Sequence, residues 1–350
     1  MIRITVAPVK QRELMLLLPR PAILAFIVVA FAQPAAAAIV FTHAPDGGPF
    51  WPIEDIYTMT DDGTNVRALT SDGHSHDPAW SPDGKRILFV HDAALQATPA
   101  SASKKESDSH RPVELYVMDR DGGNRHLIRR MEPVIYSAAW SPDGKMLAVN
   151  AITDDAAKSA QSTGEPARSG LFLLNANGSG QPQLIFRNAF TPAWSPDGSK
   201  LAVSVEQPRG IWSLHVLNRD GSGDARLTDP AVTAGEPSWS PDGKLIAFDE
   251  IPGRDGKQQV FLMNADGSRS RQITSDPNWS CAHPSWSPDG NRLAFSCRSA
   301  SVPCGGISDV GTPEPACTRR IFSIAPGSPA MRPTRLGSID GVQAAFSPVP

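Results

Sequence analysis

The stretch Ala79-Trp80-Ser81-Pro82-Asp83-Gly84 decides the fold, because it recurs along the chain. A tryptophan followed by Ser-Pro-Asp-Gly stands again at Trp140, Trp194, Trp239 and Trp286. A shortened copy with phenylalanine in place of tryptophan stands at 345–348. Successive aromatic residues of this pattern lie 45 to 60 residues apart. That spacing is typical of the blades of a β-propeller, so the repeat predicts a ring of similar units.

Each repeat has room for four short antiparallel strands. The first strand runs into the tryptophan, and Ser-Pro-Asp-Gly reverses the chain because its residues suit successive positions of a tight turn. The predicted second strands are 86–90, 146–150, 200–204, 245–249 and 292–296. A third strand, such as 260–263, is aromatic and aliphatic, and a second glycine turn leads to a fourth strand, such as 271–274.

The two ends of the repeat region complement each other. Residues 38–42 resemble a second strand with no first strand before it, and residues 342–346 resemble a first strand with no second strand after it. Joining them gives a sixth blade and leaves no long open sheet edge. The predicted fold is therefore all-β. It is a six-bladed β-propeller of four-stranded antiparallel blades in one domain, 38–350, closed by a one-plus-three clasp of C-terminal and N-terminal strands.

Residues 1–37 have the pattern of a signal peptide. Basic residues precede an uncharged apolar run at 22–32, and small residues that suit a signal peptidase follow it. The apolar run is shorter than the roughly 20 residues that a membrane span needs. The pattern predicts a periplasmic or secreted protein with no stable membrane span after signal cleavage, and the alternative is an uncleaved N-terminal anchor.

Composition and missing motifs reduce the number of function classes that the sequence could have. The net charge is -3 and 20% of the residues are charged, so nucleic acid is not an expected partner. The sequence contains no Gly-x-Ser-x-Gly pattern and no phosphate-binding glycine loop, which disfavours the usual hydrolase and nucleotide-binding sites. These observations favour a monomer that works by binding, without a cofactor, rather than by catalysis.

The repeated W-S-P-D-G phrase and the hairpin V/L-F/Y-x-M-N/D-x-D-G resemble the WD40-like repeats of the TolB-like propeller family. The resemblance covers residues 38–350 and implies that the channel mouth receives an envelope protein or peptide. TolB itself has an α/β domain before its propeller, whereas here the predicted signal peptide leads directly into the first strand. A role in the Tol–Pal system is therefore open at this point.

Topology places the candidate binding residues on one face. The four strands of a blade alternate in direction, so the loops at 43–55, 91–114, 151–170 and 297–320 share the face opposite the Ser-Pro-Asp-Gly turns. A polar residue stands three positions before each repeat aromatic, at the predicted start of the inner strand. We name this set the mouth ring: Asp77, Ser137, Thr191, Glu236, His283 and Gln343.

Histidines provide an enzymatic alternative. His74, His76 and Asp77 precede the second blade, and His283 stands at the corresponding region of another blade. Imidazole and carboxylate groups together can hold a divalent transition metal. Some related propellers that cleave acidic polysaccharides hold a metal through histidine at this place, so the family resemblance implies, as the alternative function, a metal-dependent carbohydrate lyase or hydrolase at the channel mouth. Solvent-exposed loop histidines are the simpler interpretation.

The four cysteines, Cys281, Cys297, Cys304 and Cys317, lie in one late segment of an exported chain, where disulfides are expected. Cys281 precedes the turn at 287–290 by about as many residues as Cys297 follows it, so the two should face each other across neighbouring strands. This predicts the pairs Cys281–Cys297 and Cys304–Cys317. Crossed pairs and free thiols that bind metal are the alternatives.

Overall fold

The computed structural model describes residues 38–43, 54–92, 113–131, 133–153, 169–207, 210–252, 256–299, 319–327 and 334–348. These residues form 24 β-strands in six four-stranded antiparallel sheets, and no α-helix occurs among them. The predicted six-bladed propeller is confirmed. In the described part of the chain there is accordingly no helix with the length and apolar character of a membrane span.

Strands are numbered in chain order. Blade 1 consists of β24 (Val342–Phe346), β1 (Ala38–His43), β2 (Asp55–Thr60) and β3 (Arg67–Ala68). Blade 2 consists of β4 (Ser75–Trp80), β5 (Arg86–Asp92), β6 (Val113–Asp119) and β7 (His126–Met131). Blade 3 consists of β8 (Pro133–Trp140), β9 (Met146–Thr153), β10 (Gly170–Asn175) and β11 (Gln183–Arg187).

The second half of the ring follows the same plan. Blade 4 consists of β12 (Ala189–Trp194), β13 (Lys200–Gln207), β14 (Ile211–Asn218) and β15 (Ala225–Arg226). Blade 5 consists of β16 (Thr233–Trp239), β17 (Leu245–Ile251), β18 (Gln259–Asn264) and β19 (Arg271–Gln272). Blade 6 consists of β20 (Trp279–Trp286), β21 (Leu293–Ser299), β22 (Arg319–Ile324) and β23 (Thr334–Asp340).

The ring is closed by pairing between the two ends of the described chain. β24 pairs antiparallel with β1, with Phe346 opposite Ile39 and Ala345 opposite Val40. The first strands of the blades contact one another in the cyclic order β24, β4, β8, β12, β16, β20 and back to β24. These six strands are therefore innermost and surround the propeller axis.

The fourth strands of blades 1, 4 and 5 have only two residues each. In blade 5 the predicted strand 271–274 ends at Gln272, because the hydroxyl of Thr274 accepts the N–H of Val260 (2.9 Å) in place of a backbone carbonyl. Thr70 does the same for Ile56 (2.9 Å) and Thr228 for Leu214 (3.0 Å). A threonine side chain thus ends the backbone ladder at the outer edge of three blades.

Each Ser-Pro-Asp-Gly turn is fixed by the same side-chain hydrogen bonds. In blade 2 the hydroxyl of Ser81 donates to Asp83 Oδ1 (2.6 Å) and accepts the N–H of Arg86 (2.9 Å). Gly84 has a φ of 63°, which glycine adopts without steric cost. The serine hydroxyl lowers the pKa of the aspartate in every one of these turns: Asp83, Asp143, Asp197, Asp242 and Asp289.

The repeat tryptophans pack between blades. Trp194 is 8% exposed and lies in a cluster that combines Leu171 and Leu173 of blade 3 with Leu201 of blade 4. Its indole N–H donates to the carbonyl of Ala139 in the preceding blade (3.4 Å). The indoles of Trp80 and Trp286 donate in the same way to Ala345 and Ser238 (both 3.2 Å).

Replacing Trp194 by alanine tests this packing. The substitution leaves a cavity between two blades, so we expect the free energy of unfolding to fall by about 3–5 kcal/mol in urea denaturation. Leu184→Ala is the control, because Leu184 is 39% exposed on an outer strand and its loss should cost far less. Equal stability of the two variants would contradict the assignment of Trp194 to the blade interface.

Acid should weaken the turns. Hydrogen bonds lower the pKa of Asp242 from 3.8 to about 2, and lower the pKa of the four equivalent aspartates. Groups with a lowered folded-state pKa stabilise the fold above their ordinary pKa, and this contribution is lost as the pH falls toward the folded-state value. Urea denaturation from about pH 5 to about pH 2.5 should show decreasing stability. Exchanging all five aspartates for asparagine should make that slope shallower; an unchanged slope would contradict the assignment.

The structure contains a disulfide between Cys281 and Cys297, which lie opposite each other on β20 and β21 with a Cα–Cα distance of 4.1 Å. Cys304 and Cys317 lie outside the described residues, so their pairing stays a prediction. Non-reducing peptide mapping of the exported protein should yield one peptide with Cys281–Cys297 and one with Cys304–Cys317. A peptide that joins Cys297 to Cys304 or Cys317 would refute both pairs.

Candidate functional site: the mouth ring

A β-bulge interrupts each inner strand before its repeat aromatic. In blade 2 the regular pairing stops after His76 opposite Val90 and resumes with Ala79 opposite Leu88. Two inner-strand residues therefore face one residue of the second strand, and Asp77 is the first of them. The mouth-ring residues thus lie within the inner strands, after their first residues, and not at the strand starts as the sequence predicts. The strands start earlier because their first residues pair with the extended second strands.

The first residue of the bulge has a left-handed backbone in five blades. The φ angle is 52° at Asp77, 46° at Thr191, 50° at Glu236, 56° at His283 and 53° at Gln343. Residues other than glycine rarely adopt this conformation, and for a β-branched residue such as threonine it is a marked outlier. The six-fold repeat therefore places five different polar residues in the same strained backbone geometry.

Blade 3 departs from this pattern. Its pairing is irregular between Ile135 and Ser137, so Tyr136 is the extra residue, and Ser137 pairs directly with Asn150. Ser137 is not among the residues with positive φ. The hydroxyl of Ser137 is buried and has no hydrogen-bond partner. Ser137 thus keeps its predicted place on the inner strand of blade 3. The extra residue of the bulge, however, is Tyr136 and not the mouth-ring residue as in the other blades.

A second layer of polar side chains supports the mouth ring. Its residues lie on the second strands. In each blade, one second-strand residue pairs with the repeat aromatic, and the supporting-ring residue stands three positions after it in the sequence. We name it the supporting ring: Thr42, Asn150, Ser204, Asp249 and Ser296, with Val90 at the sixth position. Its polar members are at most 3% exposed, so each needs a hydrogen-bond partner.

Two members of the supporting ring bind the bulge of the next blade. Asp249 of blade 5 accepts the backbone N–H of His283 in blade 6 (3.3 Å). Ser204 of blade 4 accepts the backbone N–H of Glu236 in blade 5 (3.2 Å) and also contacts the hydroxyl of Thr191 (2.7 Å). These hydrogen bonds link neighbouring blades close to the axis and fix the backbone on which the ring residues stand.

Asp77 connects the mouth ring of blade 2 with that of blade 1 and with His76. The side-chain amide of Gln343 in blade 1 donates to Asp77 Oδ1, and Asp77 Oδ2 lies 2.8 Å from His76 Nδ1. Burial on its own would lower the pKa of His76, but the hydrogen bond and negative charge of Asp77 outweigh burial and raise this pKa. Asp77 therefore favours the protonated form of the His76 imidazole.

The four residues of the predicted metal alternative are only partly brought together. His76 contacts Asp77, whereas the ring of His74 lies near His91, with centroids 6.4 Å apart. His283 contacts Ser296 (3.2 Å) and belongs to blade 6, which blade 1 separates from the blade of Asp77. Across the described ranges, no group of three or more His, Cys, Asp or Glu side chains has the arrangement of a metal site.

One arrangement with catalytic character was not visible in the sequence. Ser213 Oγ lies 3.0 Å from His215 Nε2, and His215 Nδ1 lies 2.6 Å from Asp224 Oδ1, which is the bonding order of a Ser-His-Asp triad. Ser213 is 0% exposed between blades 3 and 4, so its hydroxyl is inaccessible to a substrate. The other blades have an aromatic residue at the register of His215: Tyr57, Tyr116, Phe172, Phe261 and Phe322. The trio is therefore a packing substitute for an aromatic ring.

The long loops predicted on the mouth-ring face fall largely outside the described residues. Their contribution to the site stays a prediction, and the described site consists of the mouth ring, the supporting ring and the adjacent strand ends.

Comparisons with known proteins agree with this architecture. Residues 100–312 match the family model of the TolB beta propeller domain. The Tol-Pal system protein TolB of Anaeromyxobacter dehalogenans is 36% identical over 121 residues, which are 34% of this chain and 25% of that protein. An uncharacterized peptidase of Bacillus subtilis, YuxL, is 27% identical over 197 residues, which are 54% of this chain and 24% of that protein.

Among solved structures, TolB from Acinetobacter baumannii superposes with a TM-score of 0.65 at 17% identity. The superposition covers 89% of this chain and 66% of that chain. At this identity the likeness shows the fold alone. The matched stretch spans about a quarter of the length of the curated relatives. The family model covers more than half of the chain, and this protein therefore belongs to the TolB β-propeller domain family.

Proposed function

We propose that this protein is a non-catalytic binding protein of the periplasm whose mouth ring receives a protein or peptide of the cell envelope. The signal-peptide pattern at residues 1–37 supports export, and family membership supports a role in the envelope. The relative from Anaeromyxobacter dehalogenans is a Tol-Pal system protein, so a partner from that system is the first candidate.

The observation that carries the proposal is the left-handed backbone under five ring residues. Such strain costs on the order of 1–3 kcal/mol per residue and persists where the surrounding structure enforces it, often at ligand-binding positions. Here the supporting ring holds the backbone through the N–H groups of Glu236 and His283, while the side chains differ in charge and size. Carboxylate, hydroxyl, amide and imidazole groups thus converge on one level of the inner strands, on rigid elements suited to recognition.

Glycine substitutions separate binding from folding at these positions. Glycine accepts a positive φ without steric cost, so the variant Thr191→Gly/Glu236→Gly/His283→Gly should keep or raise the thermal midpoint of unfolding. The same variant lacks three ring side chains, so it should lose at least tenfold in affinity for the native partner. The readout is capture of envelope proteins on immobilised protein, with mass spectrometric identification, followed by titration of the captured protein.

The matched control is Asn65→Gly/Asn124→Gly/Arg269→Gly. These three residues also have positive φ, between 49° and 57°, but they lie in hairpin turns away from the mouth ring. The control variant should lose a similar amount of backbone strain, and it should still capture the envelope protein. A folded ring variant that captures the same protein with unchanged affinity would contradict the proposed function.

A further inference from the structure

Beside the mouth ring lies a cluster of three aromatic side chains that spans two blades. The ring centroids of Tyr136 and Phe190 are 5.6 Å apart, and those of Phe190 and Trp212 are 4.6 Å apart with the planes at 78°. Tyr136 is 43% exposed, and Phe190 and Trp212 are half-buried. Aromatic surface left accessible in this way commonly marks an interaction site.

The cluster is continuous with the mouth ring. Tyr136 is the extra residue of the blade 3 bulge and directly precedes Ser137, and Phe190 directly precedes Thr191. Both aromatic residues therefore stand on innermost strands at the level of the ring. A partner that reaches the mouth ring from blades 3 and 4 would contact these rings.

Strand alternation places two carboxylates, Glu206 and Glu250, at the junction of blades 4 and 5, on the side of blade 4 that carries Trp212. Glu206 is the cross-strand partner of Trp212, so the two side chains project from the same side of blade 4. Leu214, two residues after Trp212, packs with Phe248 of blade 5. Glu250 stands two residues after Phe248 and therefore projects into the same junction. Glu206, Trp212 and Glu250 thus share the end of this junction that lies nearest the mouth ring.

These carboxylates have no cationic partner within the described part of the chain. Neither Glu206 nor Glu250 takes part in the ion pairs formed there. Burial raises the pKa of Glu250, and the negative charge of Asp229 adds to this rise. Burial also raises the pKa of Tyr136, with a further contribution from the charge of Glu206. Among the described residues, the carboxylate charges that act on Tyr136 and Glu250 are thus negative, and a cation bound beside them would be favoured.

We propose that Tyr136, Phe190, Trp212, Glu206 and Glu250 form an aromatic–acidic cleft that docks a basic segment of a protein partner. A lysine or arginine of that segment meets the carboxylates and the faces of the aromatic rings, while a neighbouring apolar side chain packs on Phe190. Charge complementarity favours this occupant over an acidic peptide or an acidic saccharide. The inference rests on the proposed function and specifies the chemistry of the partner.

The experiment begins with selection of random 12-residue peptides displayed on phage against the full-length exported protein. Enriched peptides should carry lysine or arginine within about two positions of an aliphatic or aromatic residue. One enriched peptide is then synthesised with a fluorescent label, and its dissociation constant is measured by anisotropy. Glu206→Gln/Glu250→Gln and Tyr136→Ala should each weaken binding at least tenfold. Binding to the unchanged protein should weaken as salt is raised.

Charge exchange keeps the test independent of folding defects. Glu206→Lys/Glu250→Lys should reject the basic peptide and bind a version in which its lysines are replaced by glutamate. The controls are Asp121→Asn/Asp266→Asn, which removes two charges from hairpin turns but retains an acceptor oxygen, and Leu184→Ala on an outer strand. Both controls should bind the basic peptide with unchanged affinity.

Several outcomes would overturn the cleft without touching the proposed function. The first such outcome is enrichment of peptides that are neutral or acidic. The second is enrichment of peptides whose binding is lost in the Thr191, Glu236 and His283 variant but is unchanged in the Glu206 and Glu250 variants. Binding of a neutral oligosaccharide such as cellohexaose that is lost in Tyr136→Ala would identify a carbohydrate site instead. Failure to enrich any peptide, together with failure to capture an envelope protein, would overturn both proposals.

Discussion

In blades 5 and 6 the backbone N–H of a bulge residue is bound by a side chain of the preceding blade. His283 donates to Asp249, and Glu236 donates to Ser204. The bulge turns these N–H groups away from their own sheet and toward the neighbour, and the buried acceptors have little access to water. The geometry of the site in these two blades depends on this arrangement, because the same contact joins neighbouring blades near the axis, holds the left-handed backbone of Glu236 and His283 and sets their level in the mouth ring.

Much of the fold could be predicted from the sequence because its determinants are local. The Ser-Pro-Asp-Gly turn contains its own hydrogen bonds, from Ser81 to Asp83 for example, so its pattern alone marks the hairpin. The opposition of Cys281 and Cys297 follows from counting residues on either side of such a turn. The bulge could not be predicted in this way, because it depends on pairing between strands and on hydrogen bonds to another blade. The shift that puts Tyr136 in place of Ser137 has the same origin.

A repeat scaffold makes departures from the repeat informative. His215 stands where the other blades have tyrosine or phenylalanine, and its contacts to Ser213 and Asp224 satisfy the imidazole inside the blade interface. That departure is resolved by local hydrogen bonds. The departure at Tyr136 is different, since its ring stays 43% exposed. A large aromatic side chain that a fold leaves accessible next to other aromatic surface is a candidate for contact with another molecule.

The residues at the bulge support the same distinction. Glycine would adopt the left-handed backbone without steric cost, yet the five bulges carry aspartate, threonine, glutamate, histidine and glutamine. Threonine is among the least suited residues for this conformation. The backbone is the same under all five, so no single side chain is needed to form it. A position with a fixed backbone and a varied polar side chain gives each blade its own chemical group at one common level. Folding alone does not require that variety, whereas recognition of an asymmetric partner by a pseudo-symmetric ring does.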